Sequence, residues 1–226
     1  MPEALIAGGK VLPTSCTVKL WRDTGLGFTG LRRRQETRHL IHHWTGGSRP
    51  GPQVFDVLRQ RGLSVHLCVD PDGTVWQFCD LDRRCSHAGS LDDWDHDGHE
   101  LSANAWSIGV EVVNPAAPRS PVQGVQRAVV REAIHGQAQD ATCFTASQTR
   151  ALLELTRVIC ERYELPVAVP MESGDVVARV LTEPEFEAFY GVLGHYMLTR
   201  RKRDPGLALM RAVAAMPLRG KDGAAE

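Results

Sequence analysis

Three places in this chain hold side chains suited to acid–base or metal chemistry where burial costs free energy unless the group is paired. His42 lies in RHLIHHWTGG at 38–47, Glu111 in the apolar run WSIGVEVV at 106–113, and His195 and Asp204 in GHYMLTRRKRDPG at 194–206. A zinc enzyme needs neutral imidazoles and a carboxylate or thiolate at three corners of a tetrahedron, with the fourth left for water. His42, His195 and Asp204 could supply those corners, because the segment joining the last two can fold back as a loop. Their spacing matches no helical motif of the H-E-x-x-H kind, and the chain has nine histidines, so a hydrogen-bonded structural role for His42 stands beside the metal reading. Glu111 also has two readings. It points to solvent from a half-exposed strand, or into a cleft left open by Ser107 and Gly109, the small residues on its own face.

The elements that must position these residues follow from period and punctuation. The bulky run at 38–44 ends at Thr45-Gly46-Gly47 and predicts a strand, with Leu40, His42 and Trp44 on one face and His39, Ile41 and His43 on the other. His42 and His43 therefore cannot both face one site. A short helix is expected near 54–60. LSVHLCVD and TVWQFCD flank Pro71-Asp72-Gly73 and predict a hairpin. The β-branched run at 106–113 predicts a central strand ending at Asn114-Pro115. Leu152, Leu155, Ile159 and Tyr163 recur at helical spacing behind a capping box of Thr145 and Gln148, with Pro166 past the end. VQRAVVREAIHGQ reads as a marginal helix within an insertion at 116–143, and a second irregular stretch at 167–185 leads to the helix-like PEFEAFYGVLG. The order predicts an α/β fold: a single domain over 1–226 with a core at about 38–210, built as a mixed central β-sheet flanked by helices.

Composition narrows the function classes. A 42% hydrophobic and 23% charged chain of 226 residues has the means to bury one full core. Its 26 basic residues are balanced by 27 acidic ones, so no global field draws it to nucleic acid, and the RRKR run at 200–203 reads as a solvated loop. No basic leader precedes an apolar stretch and no window nears eighteen apolar residues. The expectation is a cytoplasmic protein without membrane insertion, meeting a cell wall only if lysis releases it. Six scattered cysteines without a C-x-x-C pair read as reduced thiols packed in or near the core.

The ordered set IHHWTGG, LSVHLCVDPDGTVWQFCDLDRRCSHAG, NAWSIGVEVVNP and GH followed by KRDPG resembles the zinc-dependent N-acetylmuramoyl-L-alanine amidases, the family that includes phage lysozyme-like amidases, cytosolic anhydro-muropeptide amidases and animal peptidoglycan recognition proteins. The likeness runs from Arg38 to Leu207 with gaps at the two insertions. It implies one Zn²⁺ per chain held by His42, His195 and Asp204, catalysis by Glu111 and Lys202, and a substrate contact at His87. The implied reaction is hydrolysis of the amide between the lactyl group of N-acetylmuramic acid and L-alanine, in peptidoglycan or in soluble muropeptides. A different class is a module of the same fold that binds peptidoglycan without turnover.

Overall fold

The computed structural model describes residues 4–34, 36–89, 103–118, 121 and 124–217. In chain order these form strands β1 (Ala4–Ala7), β2 (Lys10–Pro13) and β3 (Val18–Leu20), helix α1 (Trp21–Thr24), β4 (His39–Gly46), α2 (Gly51–Gln60), β5 (Leu67–Val69), β6 (Val75–Gln77), α3 (Ala103–Trp106) and β7 (Ser107–Pro115). There follow β8 (Val129–Ile134), β9 (Gln137–Thr142), α4 (Ala146–Arg162), β10 (Met171–Glu172), β11 (Asp175–Val176), α5 (Glu183–Ala188), β12 (Gly191–Gly194), a 3-10 turn (His195–Met197) and α6 (Leu207–Ala214).

Six strands make the central sheet in the order β12-β4-β7-β5-β6-β3. β12, β4, β7 and β5 run parallel, β5 and β6 form the antiparallel hairpin expected around Pro71-Asp72-Gly73, and β3 lies parallel to β6. The sheet is thus mixed, and helices cover both faces. Register fixes which residue faces which side. His42, Val110 and Leu67 are successive partners across β4, β7 and β5, and the next row holds His43, Glu111 and Cys68. Partners in a row point the same way. The first row meets α4, where Leu152, Leu155 and Ile159 are buried with Leu67 and Val110 in the main core. The second row looks toward α2, whose Val54 and Phe55 pack with Cys68 and Phe78. Each such aliphatic or aromatic side chain contributes about 1.5–3 kcal/mol on leaving water.

Local signals explain most elements. α4 starts at the expected capping box: Gln148 N–H donates to Thr145 Oγ1 at 2.9 Å and Thr145 N–H to Gln148 Oε1 at 3.1 Å. α2 begins where Gly51 touches β6, because a Cβ there would lie 2.2 Å from Trp76 Cδ1. Asp70 closes this corner by accepting from Gly51 N–H and Trp76 Nε1–H.

Two expected elements differ. The marginal helix within VQRAVVREAIHGQ is instead the β8–β9 hairpin, turned by His135 and Gly136, which both have positive φ (56° and 71°). Two successive left-handed residues make the tight turn whose twist suits paired strands, and this local signal outweighs a weak helical pattern. PEFEAFYGVLG splits: α5 stops at Ala188, and Gly191–Gly194 becomes the edge strand β12 beside β4. A short apolar run such as GVLG carries no period that distinguishes helix from strand. Among the described residues no helix is long and apolar enough to cross a membrane.

Candidate metal centre

His43, not His42, is the histidine that β4 delivers to the site. His42 points to α4, where its Nε2 is 3.1 Å from Thr156 Oγ1 and its Nδ1 is enclosed without a hydrogen-bond partner. Burial, then the neighbouring His43, lowers the pKa of its ring to about 3, so it is a neutral core imidazole. The sequence correctly places the two histidines on opposite faces. Which face holds the chemistry depends on the cross-strand pairing of His43 with Glu111, and no local period reveals that pairing.

On the α2 side three ligand atoms converge. His43 Nδ1 lies 2.8 Å from His195 Nδ1 and 3.5 Å from Asp204 Oδ2, and His195 Nδ1 lies 2.9 Å from Asp204 Oδ2. His195 enters from the turn after β12, the strand that pairs with β4. Asp204 comes from the loop before α6, and the β8–β9 hairpin braces that loop. Glu132 Oε2 accepts Leu207 N–H at 2.7 Å, and the His135 ring donates from Nε2 to Lys202 C=O at 3.0 Å. The segment read as a marginal helix is thus a support for the site.

A chain of hydrogen bonds sets the state of the His43 ring. The Ser107 hydroxyl donates to Ala103 C=O, so its oxygen accepts from His87 Nε2–H at 3.2 Å. His87 Nδ1 is then an acceptor and takes the Nε2–H of His43 at 2.9 Å. His43 Nδ1 is left as a bare lone pair aimed at His195 and Asp204, the tautomer a metal ligand requires. Burial, then His195, lowers the His43 pKa to about 4 against the pull of Asp204, so the ring is neutral at pH 7. Burial alone would push the Asp204 carboxyl up, yet the electrostatic pull and hydrogen bond of the His195 ring outweigh it and hold the group ionised. Two imidazole nitrogens and a carboxylate, buried and converging, fit a divalent cation.

His87 therefore touches a prospective ligand rather than standing free in the cleft. It fills the space above Gly109 that would otherwise lie open beside Glu111: a Cβ on Gly109 would be 2.5 Å from His87 Nδ1.

The triad borders a cleft of about 730 Å³ whose walls include Arg61, His87, Glu111, His195, Lys202 and Asp204. His43 lies beneath it, 1% exposed. Glu111 is half-buried on the same row as His43, and its Oε2 is enclosed with no hydrogen-bond partner. Burial, then the Asp204 charge, raises its pKa to about 8, with Lys202 and Arg61 pulling the other way. The structure thus brings together five of the six residues singled out from sequence, and His43 takes the place of His42.

A sequence profile of the family described as N-acetylmuramoyl-L-alanine amidase matches residues 33–207, most of the chain. The chain belongs to that amidase family. Solved structures similar to it include a selenomethionine derivative of AmpD, 18% identical over 88% of this chain and 94% of that chain, with a TM-score of 0.50. Two others are the E. coli amidase AmiD in complex with anhydro-N-acetylmuramic acid-L-Ala-D-gamma-Glu-L-Lys (19% identity, 90% and 61% of the two chains, TM-score 0.46) and Drosophila PGRP-LB (13%, 89% and 95%, TM-score 0.49). At 18% identity the likeness to AmpD is one of fold. No curated protein matches the sequence.

Proposed function

We propose that this family member is a zinc-dependent N-acetylmuramoyl-L-alanine amidase that hydrolyses the bond between the lactyl carbonyl of N-acetylmuramic acid and L-alanine, in peptidoglycan or in soluble muropeptides. The observation that carries the reading is the convergence of His43, His195 and Asp204 at a cleft that also presents Glu111 and Lys202. These three would hold Zn²⁺, which when bound supplies the Lewis acidity that makes water a nucleophile near neutral pH.

The chain's own groups account for the rest. Glu111, whose ionised form a cation held beside it would favour, takes the proton of the attacking water on its unpartnered Oε2 and delivers it to the departing amine of L-alanine, acting as base and then as acid. Lys202 faces the same cleft and offers a cation to the negative charge developing on the lactyl carbonyl oxygen. His87 keeps the Nε2 proton of His43 engaged, so that Nδ1 stays available to the cation.

The test is incubation of the purified protein with intact sacculi and, separately, with soluble muropeptides, with chelator and after zinc is restored, the products being identified by mass spectrometry. The expected result is free stem peptide beginning at L-alanine, lost with chelator and recovered with zinc. The substrate that releases it shows whether the enzyme works on the wall or on fragments. Intact substrate in both tubes with zinc-loaded protein would overturn the enzyme reading in favour of a binding module.

A further inference from the structure

Between β6 and His87 the chain turns back on itself and brings two thiols together, Cys79 Sγ and Cys85 Sγ lying 3.3 Å apart. Both are reduced and buried. The turn is fixed by Arg83 N–H donating to Asp80 C=O and Asp82 N–H donating to Asp80 Oδ1 at 2.8 Å. None of these groups enters the amidase chemistry proposed above.

The surroundings suit a thiolate better than a metal. His66 offers a third ligand atom within 4.8 Å of the two sulfurs. Its ring is already committed, however: Nδ1 accepts Gly109 N–H at 3.0 Å and Nε2 donates to Arg83 C=O at 2.7 Å. Arg34, a 6% exposed guanidinium, lies against the same carbonyl at 3.1 Å and puts a positive charge beside the pair. Burial opposes ionisation of Cys85, but the hydrogen bonds with Cys79 and Ser64 favour its thiolate, while the same contact with Cys85 and burial push Cys79 up.

Cys79 lines a second cavity, of about 850 Å³, together with Gly8, Trp21, Phe28, Leu31 and Arg33. That cavity is lined by none of the residues of the amidase cleft.

We propose that Cys79 and Cys85 are a modification site that closes to a reversible disulfide with hydrogen peroxide as oxidant. The thiolate attacks one peroxide oxygen, the O–O bond breaks, and the leaving hydroxide takes up the proton the thiol had released. The second thiol then attacks the resulting sulfenic sulfur, forming the S–S bond and expelling water. Two thiols and one peroxide give one disulfide and two waters. The sulfurs need to approach from 3.3 Å to about 2.05 Å.

The experiment uses the zinc-loaded full chain. It is exposed to a small excess of peroxide, quenched with catalase, denatured in an alkylating reagent and digested with trypsin. Arg83 and Arg84 lie between the two cysteines, so the digest separates them unless a disulfide joins their peptides. The expected result is a cross-linked Cys79–Cys85 peptide pair, two hydrogens lighter than its parts and released by dithiothreitol, with Cys16, Cys68, Cys143 and Cys160 alkylated. Alkylation of both Cys79 and Cys85, a sulfinic acid on either without cross-linking, or a metal ion bound to the pair that protects it would each overturn the proposal.

Discussion

The two sides of β4 carry the same residue type at adjacent positions, with nearly the same burial, and only one side meets the candidate metal centre. His42 and His43 are 0% and 1% exposed, and burial pushes both rings toward the neutral form. His42 meets Thr156 on α4 amid aliphatic side chains. His43 meets His87 with one nitrogen and the His195–Asp204 pair with the other. Burial and a depressed pKa therefore do not separate a structural histidine from a ligand. The distinction lies in where the lone pairs are sent, and here that is decided by the hydroxyl of Ser107, two hydrogen bonds away from the His43 ring through His87.

Exchanging the two positions gives the largest contrast. His43→Ala should lose bound zinc, read by metal analysis of the purified protein, and turnover on muropeptides should fall to background. His42→Ala should keep one zinc per chain and measurable turnover, and lose stability by about 2 kcal/mol, the ordinary scale for truncating a buried hydrogen-bonded side chain. If His42→Ala strips the metal while His43→Ala retains it, the two faces have been assigned the wrong way round.

Glu111 sharpens the comparison within the chemical face, since it shares a row with His43 but does not belong to the converging triad. Glu111→Gln should retain zinc and lower kcat by about 10²–10⁴, the contribution of a positioned general base. A variant with near-normal kcat would remove Glu111 from the mechanism. One step farther from the ion, His87→Ala should weaken zinc binding by about 10–100-fold, the usual effect of losing the partner that orients a metal-bound imidazole. Unchanged affinity in a competition titration against a chelator would break the hydrogen-bond chain from Ser107 to His43.

These contrasts also mark what the sequence made legible. Alternation in the run at 38–44 separates the two histidines, the capping box at Thr145 starts α4, and the apolar run at 106–113 places Glu111 on a central strand; all of these are local signals. The choice between His42 and His43 rests on strand pairing. So does the role of the β8–β9 hairpin, which shows only when Glu132 and His135 reach the loop of Lys202 and Asp204. Local patterns say which residues share a face. They do not say what that face will meet.

The smallest expected effect tests the electrostatics of the chemical face without any substrate. In metal-free protein the Glu111 pKa is raised from 4.5 to about 8, first by burial and then by Asp204, so the native state holds this proton over a range in which the unfolded chain has released it. Stability contributed by the neutral carboxyl is therefore fully present below about pH 4.5 and is lost as pH rises through about 8. Glutamine mimics the neutral form at every pH. Glu111→Gln and the parent should thus unfold at similar denaturant concentrations at pH 5, and the variant should be the more stable at pH 9 by about 2 kcal/mol, reduced from the full shift because water reaches part of the group. Zinc should narrow the difference, since a cation facing the carboxylate favours its ionised form. A stability difference that stays flat from pH 5 to pH 9 would mean that Glu111 is solvated in the native protein and that the cleft does not enforce the desolvation on which its role as a base depends.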